Sequence, residues 1–338
     1  MAQAKNRQWR LARRPTGAIT SADFRFSESE IPEPGEGEVL VRNVYLSCDP
    51  TQRGWMARDT YVPAIPLGEV IRSFAGGEIV RSRDPRYRQG QHVQGLFGWQ
   101  DYAVAKPGVS GPISVIPDEF PITSGLSALG LTGRTAYFGL LDVGRPKAGE
   151  TVVVSGAAGA TGSVVGQIAK VLGCRAIGIA GGQDKCDYLT GELGFDAAID
   201  YKNADVGAAL ARLCPKGIDV FFDNVGGPTL DAALGALAMH GRVVICGAIS
   251  TYNDDGPVVG PKNYINLLVR RGRMEGFLVL DYMDRIEEAT TSLEGWLREG
   301  KLKDHVSVVE GFENAPAALA RMFKGENLGK QLVKIGED

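Results

Sequence analysis

The feature that most constrains the fold of this chain is a series of short apolar runs between residues 151 and 281. These runs lack the polar alternation of a strand that has one face in water. Such runs are typical of strands buried on both faces of a parallel sheet. They are TVVVSG (151–156), RAIGIAG (175–181), AAIDY (197–201), IDVFFDNVG (218–226), GRVVICGAIS (241–250) and MEGFLVLD (274–281).

Helical patterns separate several of these runs. TGSVVGQIAKVLG places Val164, Ile168 and Val171 on one helical face, and DVGAALARLC and PTLDAALGALAMH repeat that spacing. Parallel neighbours need crossover connections, which are usually helices. The sequence therefore predicts an α/β fold with a doubly wound parallel sheet.

The segments on either side of this region predict a second, β-rich domain. Before residue 125, VLVRNVYLS (39–47), GEIVRSR and DYAVA are strand-like and lie between turns rich in proline and glycine. After residue 300, HVSVVEGF and GKQLVKI are strand-like and flank the helical ENAPAALARMFKG. We expect the C-terminus to return to the first domain. The domains would then be 1–127 with 300–338, and 128–299, with a cleft between them.

A glycine-rich turn, SGAAGATGS (155–163), lies between the first buried run and the first helix. Gly159 and Gly162 match the last two glycines of G-x-G-x-x-G, while Ala157 occupies the first position. In that motif these glycines let the backbone approach a pyrophosphate and let the helix pack on the strand. The helix N-terminus attracts phosphate as well. We expect a dinucleotide here, with little cost from Ala157 if it keeps an ordinary backbone conformation.

The second buried run bears on which dinucleotide binds. An NAD site usually has an acidic residue near the end of this strand, where it bonds the ribose 2′-hydroxyl. Here the strand ends in Gly181 and Gly182, and Lys185 offers a cation to a 2′-phosphate. Asp184 leaves NAD open as the alternative, since it could be the ribose-binding acid shifted along the chain. The pattern favours NADP(H).

Composition excludes several other classes of protein. The net charge of −3 gives no reason to expect a nucleic-acid partner, and no apolar run is long enough to span a membrane. Five scattered cysteines fit a reducing cytoplasm, and no Cys or His cluster has zinc-ligand spacing, so we expect no metal. We interpret His92, His240 and His305 as structural. The basic segment RQWRLARRP is more typical of a solvated first strand than of a transit peptide.

The chain resembles the zinc-free medium-chain reductases, which include prostaglandin reductases, plant alkenal double-bond reductases and bacterial curcumin-type reductases. The resemblance covers nearly the whole sequence. It implies a Rossmann domain inserted in a GroES-like catalytic domain, with NADP(H) as cofactor, a small enone or enal substrate, and a homodimer. The motifs that carry it are PEPGEGEVLVRNVYLSCDP, RGWM, YVPAIPLGEV, LTGRTAYFGLLDVG, AAGATGSVVGQIAK, FFDNVGG, VVICGAISTYN, GFLV and GENLGKQLVKI.

The resemblance also implies which residues contact the cofactor. Lys185 and Tyr201 would contact the 2′-phosphate, and Asn224 would lie near the ribose or diphosphate. Asn327, in the C-terminal return, would close over the cofactor. The pyrophosphate contacts would be Gly159, Ala160, Thr161 and Gly162, and the nicotinamide half would be lined by Cys246, Gly247, Ala248, Ile249, Ser250, Thr251, Tyr252, Phe277, Leu278 and Val279.

Without metal ligands, the expected chemistry is hydride addition to the β-carbon of an α,β-unsaturated ketone or aldehyde. Charge then develops on the carbonyl oxygen, and a neutral phenol can stabilise it as a hydrogen-bond donor. Tyr252 and Tyr61 match positions that face the substrate in these reductases. We expect Tyr252 to be the main donor, with Tyr61 positioning the substrate. The chain departs from the family pattern at Thr51, Gln52 and Arg134, which leaves the substrate open.

Two other functions stay open on the sequence alone. A quinone reductase of the same superfamily would transfer electrons to a flat quinone and yield a hydroquinone or semiquinone. A non-catalytic protein would bind NADPH but would not oxidise it with any enone. Product analysis distinguishes the quinone reductase from an enone reductase, and the absence of NADPH oxidation identifies the non-catalytic protein.

Overall fold

The computed structural model describes residues 5–109, 111–254 and 256–337, which form two compact units. Unit 1 contains the described residues up to Leu126 together with those from Val306 onward, and unit 2 is Ser127–His305. The second boundary lies later than the sequence suggested. The reason is that Gln167 Nε2 donates to Lys303 O over 3.0 Å and Ser127 Oγ donates to Asp304, so residues 303–304 belong to unit 2.

Helices and strands alternate along unit 2, whereas unit 1 consists mostly of strands. The strands are β1 (Lys5–Leu11), β2 (Phe24–Glu30), β3 (Val39–Ser47), β4 (Ala75–Ser82), β5 (His92–Gly95), β6 (Tyr102–Ala105), β7 (Ser114–Val115), β8 (Thr151–Ser155), β9 (Arg175–Ala180), β10 (Ala197–Asp200), β11 (Ile218–Asp223), β12 (Leu237–Ile245), β13 (Arg273–Gly276), β14 (Val306–Glu310) and β15 (Lys330–Lys334). The α-helices are α1 (Thr51–Ala57), α2 (Ile122–Leu126), α3 (Leu131–Phe138), α4 (Ala160–Val171), α5 (Gln183–Gly191), α6 (Val206–Leu213), α7 (Gly227–Gly235), α8 (Ile265–Arg270), α9 (Ile286–Arg298) and α10 (Ala315–Phe323).

Unit 1 is built around an antiparallel sheet with strand order β14-β15-β3-β4-β5-β7, and β6 pairs with β3 as well. The exception to the antiparallel pattern is β14, which runs parallel to β15. The first part of the basic segment, up to Leu11, lies in strand β1, which pairs with β2 along its whole length. Its Trp9 indole donates to Phe312 O over 2.9 Å, which ties the strand to the C-terminal part of the same unit. Trp99 and Phe312 are fully buried in the core of the unit.

Unit 2 contains the predicted parallel sheet. Its strand order is β10-β9-β8-β11-β12-β13, and each neighbouring pair is parallel. The predicted fold class is confirmed. Val152, Val153 and Val154 on the central β8 are completely buried, as expected for a strand covered on both faces.

Two predicted elements end earlier than the sequence suggested. The helical pattern PTLDAALGALAMH continues past Gly235, but α7 ends there and β12 begins at Leu237, which pairs with Ile218 of β11. The apolar LAM segment gains more from sheet pairing than from another helical turn. The predicted strand 274–281 ends at Gly276, because its partner strand β12 ends opposite it at Ile245. Residues Val279–Arg285 form 3₁₀ turns.

The glycine turn after β8 is shaped by three glycines, one of which the sequence analysis did not include. Gly156 has φ +58°, a left-handed conformation that favours glycine, while Ala157 is buried with no positive φ. Gly159 caps the N-terminus of α4. A Cβ on Gly162 would lie 2.4 Å from Gly156 O. Helix α4 therefore starts directly against the turn, and Ala157 fits because Gly156 makes the sharp bend.

The contact at Gly162 predicts a stability effect. We expect Gly162→Ala to lower the free energy of unfolding by about 2 kcal/mol, because its Cβ would press on backbone that cannot move away without shifting α4. The matched control is Gly191→Ala in α5, where an added Cβ meets nothing within 4 Å. Urea denaturation followed by circular dichroism measures both variants. Equal midpoints for the two would contradict the close approach.

Candidate active site

The carboxyl ends of β8, β9, β11 and β12 meet along one edge of unit 2. In a parallel sheet of this strand order, ligands bind outside these ends. The glycine turn follows β8, Asn224 follows β11, and the segment 246–252 follows β12. Asn224 Nδ2 donates to Ser155 O over 2.8 Å, while the amide of Ser250 donates to Val225 O over 3.1 Å. The structure thus brings the predicted residues on these three loops together.

Asp223 links the same three strand ends, and the sequence analysis gave it no role. Its buried carboxylate accepts hydrogen bonds from Ser155 Oγ (2.7 Å), Val225 N (3.1 Å) and Gly226 N (3.0 Å). Its backbone oxygen accepts from Cys246 N over 2.9 Å. Burial raises the pKa of this carboxyl, although these donors act in the opposite direction. The available signal was an acid at a strand end with two glycines, Gly226 and Gly227, three and four residues later.

The turn after β9 carries the predicted 2′-phosphate residues. Lys185 is half-buried in the first turn of α5, and its pKa is lowered by burial and then by the positive charge of Lys202. The ring of Tyr201 lies against Gly181, where an added Cβ would be 2.8 Å from a ring carbon. Two cations beside a glycine strand end fit a doubly charged phosphate group. Lys202 is a residue that the sequence analysis missed.

The acidic residues near this turn are arranged differently from those of an NAD site. Asp200 accepts hydrogen bonds from Gly182 N (2.8 Å), Lys202 N (3.0 Å) and Asn203 Nδ2 (2.7 Å). These bonds lower its pKa and hold its carboxylate in the turn. Asp184, the alternative ribose-binding acid, is exposed on the first turn of α5. The residues at this turn therefore fit a dinucleotide with a 2′-phosphate.

Tyr252 ends a 3₁₀ turn formed by Ile249–Thr251. Its phenol oxygen accepts a hydrogen bond from Ala248 N over 3.1 Å, and an added Cβ on Gly247 would lie 3.2 Å from that oxygen. The phenol is therefore held by the backbone of its own loop. Because hydrogen bonds in a chain polarise one another, accepting this bond strengthens the hydroxyl as a donor.

The segment 277–279 packs into unit 2. The ring of Phe277 meets the ring of Phe222 edge to face, with centroids 6.4 Å apart. It also fills the space beside Gly139, where an added Cβ would lie 2.3 Å from Phe277 Cζ. Val279 is buried, and Leu278 is intermediate. The Phe277 side chain is thus part of the packing. The backbone of this segment is more available to a ligand than the Phe277 ring is.

Two predicted site residues belong to unit 1. The Tyr61 hydroxyl lies 2.7 Å from Thr51 Oγ1, and the Tyr61 side chain is 46% exposed. Asn327 Nδ2 donates to Gly329 O over 2.9 Å in the turn before β15. Asn327 thus has a local role in shaping this turn.

The third departure from the family pattern, Arg134, is buried within α3 of unit 2. Burial lowers its pKa to about 10, while the negative charge of Glu294 acts in the opposite direction. The Arg134 side chain therefore lies inside unit 2.

Among residues 5–109, 111–254 and 256–337, no three His, Cys, Asp or Glu side chains are grouped closely enough to hold a metal ion. In those same ranges, every helix is too short or too polar to cross a bilayer.

Comparison with known proteins gives full-length matches. Residues 7–112 match a family model described as the N-terminal domain of oxidoreductase, and residues 160–294 match one described as zinc-binding dehydrogenase. The chain is 41% identical to the NADPH-dependent curcumin reductase of Escherichia coli, with 99% of this chain and 98% of that protein covered. It is 40% identical to prostaglandin reductase 1 of Mus musculus, covering 99% of this chain and 100% of that one.

A solved structure agrees with these matches. CurA from Vibrio vulnificus in complex with NADPH superposes with a TM-score of 0.91 at 40% identity, covering 98% of this chain and 100% of that chain. The chain uses NADP as its cofactor and is an NADP-dependent oxidoreductase. It belongs to the medium-chain reductase family that includes the curcumin, 2-alkenal and prostaglandin reductases.

Proposed function

We propose that the protein reduces the C=C bond of α,β-unsaturated ketones and aldehydes with NADPH. The observation that carries this proposal is the Tyr252 phenol, which Ala248 N holds in the loop beside the Asp223 network. The names of the relatives support it, since they include a curcumin reductase and a 2-alkenal reductase. Both names describe reductions of conjugated carbonyl compounds.

The cofactor would be held by the residues that the sequence predicted, with one addition. The first turn of α4, from Ala160 to Gly162, would bind the pyrophosphate through its N–H groups and helix dipole. Lys185, Lys202 and Tyr201 would surround the 2′-phosphate. Cys246 to Tyr252 and the backbone of 277–279 would lie along the nicotinamide half.

When bound, NADPH supplies the hydride that adds to the substrate β-carbon. Tyr252 would donate its phenol hydrogen bond to the carbonyl oxygen, where negative charge develops as the enolate forms. A preorganised donor of this kind is worth about 3 kcal/mol in the transition state. Tyr61 would orient the substrate, and solvent would deliver the proton to the enolate α-carbon.

We also propose that the protein is a homodimer formed through the edge strand β13. The neighbouring helix α8 exposes Ile265 (52%), Leu268 (73%) and Val269 (56%), and Met274 of β13 is 40% exposed. Antiparallel pairing of two β13 strands about Met274 would place Arg273 opposite Glu275 of the partner subunit. The edge is therefore self-complementary in charge as well as apolar.

We propose a cytoplasmic location. All five cysteines are free thiols, which fits a reducing compartment.

The lysine pair predicts cofactor selectivity. We expect Lys185→Ala and Lys202→Ala each to raise the Kd for NADPH about tenfold and to leave the Kd for NADH unchanged, because each removes a charge-assisted bond to the 2′-phosphate. Fluorescence titration measures both constants. Lys216→Ala is the control, because Lys216 precedes the amino end of β11, opposite the carboxyl ends of the strands. Equal losses for the two nucleotides would overturn the 2′-phosphate assignment.

The proposed role of Tyr252 predicts how its replacement affects catalysis. We expect Tyr252→Phe to lower kcat for an enal about 100-fold and to leave the Kd for NADPH nearly unchanged, since only the developing charge loses its donor. The assay measures NADPH oxidation with a panel of enals, enones and quinones and identifies the products. NADH is the control nucleotide. Saturated carbonyl products support the proposal, and hydroquinone products point to quinone reduction. Unchanged turnover by Tyr252→Phe excludes Tyr252 as the donor.

The dimer interface predicts a change in mass. We expect Leu268→Glu combined with Met274→Glu to convert a dimer into a monomer, because both side chains would place uncompensated charge at the interface. Light scattering after size-exclusion chromatography measures the mass. Val109→Glu, a 77% exposed position of unit 1, is the control and should stay dimeric. A wild-type monomer, or a double variant that is still dimeric, contradicts this interface.

A further inference from the structure

The strongest unassigned feature is the contact between Thr51 and Tyr61. Their hydroxyl oxygens are 2.7 Å apart, a normal distance for a hydrogen bond between two hydroxyl groups. Thr51 is also a position at which this chain departs from the family pattern. A small hydroxyl side chain therefore supports the phenol that we propose to orient the substrate.

Thr51 is held in a rigid place. It lies two residues after Asp49, whose buried carboxylate is paired with the Lys330 ammonium and with Ser47 Oγ. Gln52 is also buried. Its Oε1 accepts a hydrogen bond from Asp49 N over 2.7 Å, and its Nε2 donates to Arg72 O over 3.2 Å. A buried charge pair with its remaining groups satisfied fixes a backbone firmly, because moving either partner leaves an uncompensated charge. Thr51 thus starts α1 from a fixed anchor.

The loop that carries Tyr61 packs on the same helix, α1, and on Arg72. The ring of Tyr61 meets the ring of Trp55 edge to face, with centroids 6.3 Å apart. The Arg72 guanidinium lies 5.8 Å from the centre of the Trp55 ring and donates to Pro63 O over 2.8 Å. Asp59 accepts the amide of Ala64 over 2.9 Å. These contacts hold the ring beside α1, and the direction of the Tyr61 hydroxyl proton then depends on the group that hydrogen-bonds its oxygen.

We propose that Thr51 is a positioning residue that fixes this rotation. Thr51 donates its hydroxyl proton to the Tyr61 oxygen, so that the Tyr61 proton points away from Thr51 and is offered to the substrate. A phenol that accepts one hydrogen bond is a stronger donor in the next. The inference rests on the proposed function, because the acceptor of the Tyr61 proton is an oxygen of the enone or enal.

A double-mutant cycle tests the coupling. The variants are Thr51→Val, Tyr61→Phe and the two combined, assayed with NADPH and one enone identified in the substrate panel. We expect Thr51→Val to lower kcat/KM for the enone about fivefold, mainly through KM, as for one hydrogen bond. Tyr61→Phe should cost at least as much, and adding Thr51→Val to it should cost nothing more. The Kd for NADPH should stay constant throughout.

Two further variants separate positioning from packing. Thr51→Ser keeps the hydroxyl and should restore most of the wild-type KM, whereas Thr51→Ala should behave like Thr51→Val. Thr60→Val makes the matched change one residue from Tyr61, where Thr60 Oγ1 bonds the backbone of Val62 in its own turn, and should leave KM unchanged. Melting temperatures verify that each variant folds.

The outcomes divide cleanly. If wild-type protein reduces no enone or enal, the proposed function fails before the cycle begins. If it reduces them but Thr51→Val costs nothing, or costs the same with Phe at position 61, Thr51 does not act through Tyr61. Loss of activity in Thr51→Ser equal to that in Thr51→Val would also overturn the proposal.

Discussion

The close approach of backbone between Gly156 and Gly162 is the constraint on which the nucleotide site depends. With 2.4 Å between Gly156 O and the place of a Cβ on Gly162, the first turn of α4 lies directly on the turn after β8. Only a residue without a side chain allows this contact. The contact directs the unpaired N–H groups of α4 over the strand end, where the phosphate would bind. A longer turn would leave the helix pointing elsewhere.

Asp223 extends that constraint across the sheet. Its carboxylate bonds Ser155 of β8 and the amides of the turn after β11, while its backbone oxygen receives the first amide after β12. A buried carboxylate is costly unless its acceptor sites are filled, so the three strand ends must keep their relative positions. The loop that carries Tyr252 therefore starts from a fixed point. In the proposed function, the nucleotide and the proposed donor Tyr252 would share this end of the sheet.

The sequence predicted the sheet, its glycine turn and the NADP cofactor, since each leaves a local pattern of residues, and the role it gave Tyr252 stays a prediction. It missed Lys202 and the role of Asp223, because both depend on which strands become neighbours: β10 brings Lys202 to Lys185, and β8 brings Ser155 to Asp223. The predicted end of helix α7 was wrong for the same reason. The LAM segment could form a helix or a strand, and its pairing with β11 makes it a strand.

The two tyrosines are supported in different ways, and that difference bears on how substrate choice can vary. Tyr252 is held by the backbone amide of Ala248, a bond that hardly depends on the identity of any side chain. Tyr61 is held by the Thr51 side chain, so a single substitution at position 51 can remove its hydrogen bond. Under the proposed function, such a change would leave the bond between Ala248 and Tyr252 in place and would alter the orientation of the substrate. In that proposal the oxyanion donor depends on a backbone bond, whereas substrate orientation depends on a side-chain bond.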